Sequence, residues 1–261
     1  MHVKNYRGYF IDLDGTMYRG TEPIQEAPYF VKKLKNSKIP YLFLTNNSTS
    51  TPQEVADRLN KTFNIPAKAE DIYTSALATA DYVKALKGNR VYVVGENGLK
   101  QALTDAGCEL VDKDIDHVVV GLDRYLTYDK CEIASLAIQK GATFVATNKD
   151  TNIPTERGMS PGAGAVIAMI EKASKIKPVF VGKPEEIMMA SALDKLNLSE
   201  REVLMVGDNY ETDIMAGINS RIDTLLVLTG FTKREDLEYQ EIQPTYVIDT
   251  LDEWGDERAS H

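Results

Sequence analysis

Short apolar runs closed by glycine, asparagine, aspartate or proline recur along this chain, separated by stretches of helical period. The runs at 9–11, 40–44 and 72–74 read as buried strands, being short, rich in aromatic and branched residues and bounded by turn formers. Helical spacing fills 27–35, and a second helix starts after Thr51, a candidate N-cap followed by Pro52 at the first helical position and an acid in the first turn. A third helix runs to about residue 86, and the pattern breaks at Lys87-Gly88-Asn89. A fresh series begins there, with strands at 91–94, 118–121 and 143–146 and helices near 98–106, 127–139 and 163–173. Strands resume at 178–181, 203–206, 224–228 and 246–248. Strand alternating with helix is the signature of a parallel sheet covered by helices, so the expected class is α/β. The break predicts two bodies: a discontinuous core from 1–82 plus 178–261, and an inserted α/β block over 83–177. The charged tail from 252 onward is expected to pack loosely.

Charge narrows the partners. The formal net charge is −9, with no block of lysine or arginine, which argues against nucleic acid or an anionic membrane as the main partner. An acidic chain that handles an anion must build a local positive site from a metal, a lysine or helix N-termini. The two cysteines, Cys108 and Cys131, are too few for a disulfide framework, and a reduced, cytoplasmic protein is expected. The first seven residues lack the apolar core of a secretory signal, and no apolar run is long enough to span a bilayer. Of the three histidines, His2 and His261 stand at the chain ends and His117 precedes an apolar strand. Histidine-based metal chemistry or a Ser-His-Asp triad is therefore not expected, and acid–base work falls to carboxylates.

The sharpest chemical signal is Tyr9-Phe10-Ile11-Asp12-Leu13-Asp14-Gly15-Thr16, an apolar strand running into two acids spaced i, i+2. On an extended strand these positions share a face, and two close acids repel unless a cation or proton lies between them. An ordinary Asp-Gly turn is the plain alternative. The residues that close the other strands tip the balance. The second strand ends in Thr45-Asn46-Asn47, the strand at 178–181 in Gly182-Lys183-Pro184, and the next in Gly207-Asp208-Asn209. A parallel sheet delivers its strand ends to one edge, where ligands bind. Acids, hydroxyl, amides and a lysine at such an edge suit phosphoryl transfer. Asp12 is the candidate nucleophile, with Mg²⁺ held by Asp12, the backbone carbonyl of Asp14 and Asp208. Thr45, Asn46 and Lys183 are placed on the phosphate oxygens, and Asp14 serves as general acid and then general base. A lone lysine before a proline turn is most often solvated, but the strand-end position of Lys183 beside the acids favours a catalytic role. Asn47 and Ser48 can contact phosphate or simply cap the next turn, and Asn209 can be a turn residue. Gly162-Ala163-Gly164-Ala165 lacks the rest of a dinucleotide fingerprint.

Asp12-Leu13-Asp14-Gly15-Thr16, Thr45-Asn46-Asn47, Lys183-Pro184 and Gly207-Asp208-Asn209-Tyr210-Glu211-Thr212-Asp213 together resemble the four motifs of the haloacid dehalogenase superfamily. Thr-Asn-Asn, Gly-Lys-Pro and an insertion between those two motifs are similar to its nitrophenylphosphatase and acid sugar phosphatase branch. The resemblance spans nearly the whole chain, with Met17 standing where the family often has leucine or valine. It implies a Rossmann-like core with an inserted cap domain. It also implies a Mg²⁺-dependent phosphatase acting on small phosphomonoesters, sugar phosphates and p-nitrophenyl phosphate among them, through an aspartyl-phosphate. Asp12 matches the nucleophile, Asp14 the acid/base and Asp208 the metal acid, while Asp213, with Asn209 beside it, matches a supporting position. Tyr18-Arg19-Gly20 matches the flap turn. The polar loop 147–154 would face substrate, making Asn148, Asp150 and Asn152 candidates for specificity. A sugar phosphomutase on the same core is the first alternative, and a non-catalytic phosphometabolite-binding regulator the second. The paired Asp14 favours turnover over a receiver-like role, and Asp208 argues against dehalogenation. The expected partner is a small phosphorylated metabolite, with a homodimer left open.

Overall fold

The computed structural model describes residues 4–155 and 157–255. In chain order the elements are β1 (Gly8–Ile11), a small hairpin of β2 (Tyr18–Arg19) and β3 (Glu22–Pro23), α1 (Ala27–Asn36), β4 (Tyr41–Thr45), α2 (Pro52–Phe63) and β5 (Ile72–Thr74). Next come α3 (Ser75–Lys84), β6 (Arg90–Val94), α4 (Asn97–Asp105), β7 (Glu109–Leu110), β8 (His117–Val120), α5 (Tyr128–Gln139) and β9 (Thr143–Ala146). A second hairpin, β10 (Asn152–Thr155) and β11 (Gly158–Pro161), precedes α6 (Ala163–Ser174) and β12 (Val179–Phe180). The chain closes with α7 (Glu186–Leu196), β13 (Val203–Gly207), α8 (Met215–Asn219), β14 (Asp223–Val227) and β15 (Tyr246–Ile248).

These elements form two units, one comprising 1–44, 53–73 and 189–261 and the other 45–52 and 74–188. The first is built on a six-stranded sheet ordered β15-β14-β13-β1-β4-β5. β1 lies parallel to β13 in the register Phe10↔Met205 and parallel to β4 in the register Phe10↔Leu42. The strand order reverses between β1 and β13, which makes their carboxyl ends a topological switch point, where open α/β sheets bind ligands. Every residue of β1 and β13 is buried, as strands covered on both faces must be. Ile11, Phe43, Val206 and Leu225 pack with Phe30 and Val31 of α1 and Leu59 and Phe63 of α2 in one core.

The second unit carries its own five-stranded parallel sheet, β12-β9-β8-β6-β7. Val118, Val120, Phe144 and Ala146 pack against Cys131 and Ile138 of α5 and Val166, Ile167 and Ile170 of α6. Both cysteines are free and buried. No described helix is long and apolar enough to cross a membrane.

The α/β class and the parallel sheets are as the pattern of apolar runs predicts. The expected block boundaries, 82/83 and 177/178, differ from the observed divisions at 73/74 and 188/189, and 45–52 also falls in the second unit. One cause is β12: the strand at 178–181 pairs with β9 through Val179↔Val145 instead of joining the first sheet. Lys183 therefore comes after a strand of the five-stranded sheet. The expected gathering of four strand ends at one sheet edge holds for β1, β4 and β13 but not for this one. The polar stretch expected as a loop to residue 154 enters the β10–β11 hairpin, which the apolar pattern does not show.

Candidate active site

In the first unit the ladder continues one residue past β1, the Asp12 N–H donating to the Val206 carbonyl at 2.8 Å. The chain then tightens into a turn in which the Met17 N–H donates to the Leu13 carbonyl and the Gly15 N–H to the Tyr18 carbonyl. Asp12 is partly buried and Asp14 exposed. Asp14 Oδ1 accepts from the Gly20 N–H at 3.1 Å.

Asp208 lies at the end of β13, across the switch point, and is buried. Its Oδ1 accepts from the Thr16 hydroxyl at 3.2 Å and its Oδ2 from the Phe231 N–H at 2.7 Å. Space around it is tight, since a Cβ at Gly15 would sit 2.2 Å, and one at Gly230 1.9 Å, from Asp208 Oδ2. Only glycine fits at these two positions. Asp213 is carried by a wide π-type turn, Tyr210–Ile214, whose start is capped by Asn209 Oδ1 accepting from the Glu211 N–H. Asp213 is buried, and its Oδ2 accepts from the Asn209 N–H at 3.1 Å.

Asp12, Asp208 and Asp213 each place a carboxylate oxygen within 4.8 Å of the others. Three carboxylates gathered in a protected site repel one another strongly unless a cation joins them. Hard oxygen donors fit a divalent ion such as Mg²⁺, which takes a few carboxylates and completes its shell with water and phosphate. The donor set thus fits the metal that the sequence implies, with Asp213 contributing a carboxylate to the cluster as well as Asp208. The Asp14 carboxylate is not among the three. The negative charge also reaches Tyr18, whose hydroxyl is pushed well above its usual range, first by burial, with Asp14 and Asp12 adding to the shift and Arg58 opposing it.

The loop after β14 escapes the motif reading. Thr229 donates its hydroxyl proton to the Gly15 carbonyl at 2.7 Å, and the Arg19 guanidinium donates to the Thr229 carbonyl. The Thr232 hydroxyl accepts from the Tyr210 N–H at 2.8 Å, and the Thr232 N–H donates to the Asp208 carbonyl. A signal for it exists, since Thr229-Gly230 closes a predicted strand just as Gly207-Asp208 does.

In the second unit Thr45 ends β4, and its hydroxyl accepts from the Asn47 N–H at 3.2 Å. Asn47 is exposed, and its Oδ1 accepts from both the N–H and the hydroxyl of Thr49, so it builds the turn. Asn46 spends its amide donors on Asp150 Oδ1 at 3.1 Å and on the Lys183 carbonyl at 3.0 Å. Its own carbonyl accepts from the Ser75 hydroxyl at 2.6 Å and from Asn148 Nδ2 at 2.8 Å. Lys183 is only 2% exposed, a depth at which lysine is rarely found unless its charge is answered. The Asp150 loop is steadied at the head of α6, where the N–H groups of Gly162 and Gly164 donate to the carbonyls of Thr151 and Asp150. Of the candidate specificity residues, Asn148 is buried and structural, Asp150 meets Asn46, and Asn152 stands exposed at the start of β10, its Oδ1 accepting from Thr151. The structure thus brings Asp12, Asp208 and Asp213 together in one unit, and Asn46, Asn148, Asp150 and Lys183 in the other.

Residues 9–109 match a family model described as haloacid dehalogenase-like hydrolase, and 180–254 match a second described as HAD-hydrolase-like. The chain is 51% identical to a protein of Bacillus subtilis named 5'-nucleotidase YutF, over 97% of this chain and 98% of that one. It is 50% identical to an acid sugar phosphatase of Staphylococcus epidermidis, over 95% and 96% of the two chains. A crystal structure of a thermostable nitrophenylphosphatase (NPPase) double mutant from Geobacillus stearothermophilus superposes with a TM-score of 0.91 at 49% identity, covering 97% of this chain and 99% of the other. By motif, fold and descent, this chain belongs to the haloacid dehalogenase-like hydrolases, in the branch of the nitrophenylphosphatases and acid sugar phosphatases, and is a phosphoric monoester hydrolase.

Proposed function

We propose that the chain is a Mg²⁺-dependent phosphatase of small phosphomonoesters, sugar phosphates foremost, that works through a phosphoryl group carried on Asp12. The observation that carries this reading is the meeting of Asp12, Asp208 and Asp213 carboxylates within 4.8 Å at the switch point. Asp12, Asp208 and Asp213 would hold the ion, with the Asp14 carbonyl as a further oxygen donor, and a bound Mg²⁺ would supply the positive charge that lets an anionic carboxylate approach an anionic phosphate.

The chemistry then divides among the chain's own residues. An Asp12 oxygen attacks phosphorus, and the bond from phosphorus to the ester oxygen breaks. Asp14 gives a proton to that oxygen, and the alcohol leaves. Water next attacks the aspartyl-phosphate while Asp14 takes its proton, and inorganic phosphate departs with Asp12 restored. Thr45 and Lys183 are assigned to the phosphate oxygens, where charge builds in the transition state. Asn46, its amide already committed to Asp150 and the Lys183 carbonyl, is assigned to holding that region in place. The inserted unit is assigned the role of a cap that shields the reaction and chooses the leaving group.

Phosphate release across a panel of sugar phosphates, nucleoside monophosphates and p-nitrophenyl phosphate tests the reading, with and without chelator. Hydrolysis that chelation abolishes and Mg²⁺ restores is expected. Full activity in excess chelator, or conversion of a sugar phosphate to its isomer without free phosphate, would overturn it.

A further inference from the structure

The first unit holds an arginine that the motifs do not include. Arg58 projects from α2 with its guanidinium carbon 4.8 Å from the centre of the Tyr18 ring and 5.6 Å from that of Phe63. Those two rings stack on each other at 4.4 Å, with 5° between their planes. Tyr18 and Phe63 are buried, so the guanidinium rests on a fixed aromatic platform and loses little freedom by staying there. From that platform Nη2 donates to the Gly20 carbonyl at 2.6 Å. The N–H of the same Gly20 donates to Asp14 Oδ1 at 3.1 Å. The opposite side of the hairpin is fixed by the Arg19 guanidinium on the Thr229 carbonyl. The β2–β3 hairpin is therefore gripped by two arginines, and one of them lies a single residue's backbone away from the Asp14 carboxylate.

We infer that Arg58 is a positioning residue for Asp14: by holding the Gly20 backbone it aims the Gly20 N–H at Asp14 Oδ1 and so fixes the carboxyl that exchanges the proton. This rests on the acid–base role given to Asp14 above. Proton transfer in the transition state demands that donor and acceptor meet within hydrogen-bond reach. A carboxyl free to rotate therefore slows the phosphorylation step, read as kcat/KM, chiefly on substrates whose leaving oxygen needs its proton, while the later attack of water is shared by all substrates. A merely structural arginine would act on every substrate alike. One that bound a substrate anion would act on KM.

The test compares an alkyl ester, glucose 6-phosphate, with aryl phosphates of graded leaving-group acidity ending in p-nitrophenyl phosphate. The variants are Arg58→Ala, Arg58→Lys, Asp14→Asn and the double variant Arg58→Ala/Asp14→Asn. Arg58→Ala is expected to lower kcat/KM on the alkyl ester about 10-fold and on p-nitrophenyl phosphate less than about 3-fold, steepening the dependence of the phosphorylation step on the leaving group. Arg58→Lys, which keeps a donor but not the planar fork, is expected to fall between Arg58→Ala and the unaltered protein. In the Asp14→Asn background Arg58→Ala is expected to cost nothing further, because residues acting through one group are not additive. Equal losses on all esters, a rise in KM with kcat unchanged, or an additive loss in the double variant would overturn the inference. If Arg58→Ala does not fold, the leaving-group dependence of Arg58→Lys decides in its place. Should Asp14→Asn itself lower kcat/KM equally on alkyl and aryl esters, the acid–base assignment fails and this inference with it. If Asp14→Asn discriminates and the Arg58 variants do not, this inference alone fails.

Discussion

The acid cluster of the first unit and the lysine–amide cluster of the second are held in opposite ways. Around Asp208 the donors are mostly backbone: Phe231 N–H on one oxygen, the Thr16 hydroxyl on the other, and Asn209 N–H on neighbouring Asp213. Glycines at 15 and 230 leave the room that lets this backbone close in. Around Lys183 side chains do the holding, with the Asn46 amide bridging Asp150 and the Lys183 carbonyl, and Asn148 gripping Asn46 from behind. The first arrangement collects like charges, the donor set that a divalent cation would take. The second buries a lysine whose backbone carbonyl is tied through the Asn46 amide to Asp150. A site of the first kind is broken by adding a methyl group, and one of the second kind by removing a side-chain oxygen.

The largest effect is expected from the nucleophile. Asp12→Asn should abolish turnover of every ester, and no phosphate should be trapped on the protein; turnover at more than a trace would move the nucleophile elsewhere. Lys183→Ala should cost roughly 10²–10³-fold in kcat, the scale for losing one transition-state charge contact. Near-normal kinetics in that variant would remove the second cluster from the reaction.

Gly230→Ala sharpens the contrast most directly, because it changes no charge. Its methyl group must displace Asp208, and metal affinity should fall about 10–100-fold, as it does when supporting groups around a metal ligand are disturbed. Unaltered affinity would mean that Asp208 is not a ligand or that its loop yields freely. Asp150→Ala removes an acceptor from the Asn46 amide and should cost about 10-fold in rate, in line with one lost, partly buried hydrogen bond to a charged group, with Mg²⁺ affinity intact. Asn152→Ala should change neither. A variant in which Asn152 alters substrate preference would show that the exposed hairpin, and not Asp150, reads the leaving group.

Much of this is visible in the sequence, and the exceptions have physical causes. Asp12 and Asp208 stand out because strand and turn signals place them and parallel sheets send their strand ends to one edge, whereas Asp213 is reached only through the motif resemblance. The span of the inserted unit is less legible. The strand at 178–181 is apolar in the manner of any buried strand, and nothing in Pro178-Val179-Phe180-Val181 states that β9 is its neighbour. The β10–β11 hairpin is invisible because it is exposed, short and contains Pro154 and Pro161, so burial imprints no alternation on it. The place of Asn46 beside Thr45 points it at phosphate, yet its amide donors go to Asp150 and the Lys183 carbonyl, partners 104 and 137 residues away in sequence. Arg58 escapes notice for the same reason, since its contact with Gly20 joins a helix surface that carries no motif to the flap turn. Strand-end chemistry is local and can be read along the chain; side-chain networks between distant loops cannot.

In the proposed reading the Asp12, Asp208 and Asp213 carboxylates hold a cation and Lys183 does not contribute to holding it. Titration calorimetry of the purified protein with Mg²⁺, in parallel with Asp208→Asn and Lys183→Ala, tests it directly. One ion per chain is expected, bound about 10–100-fold more weakly by Asp208→Asn and with little change by Lys183→Ala. Equal affinity in all three proteins, or no binding to the unaltered one, would contradict the account.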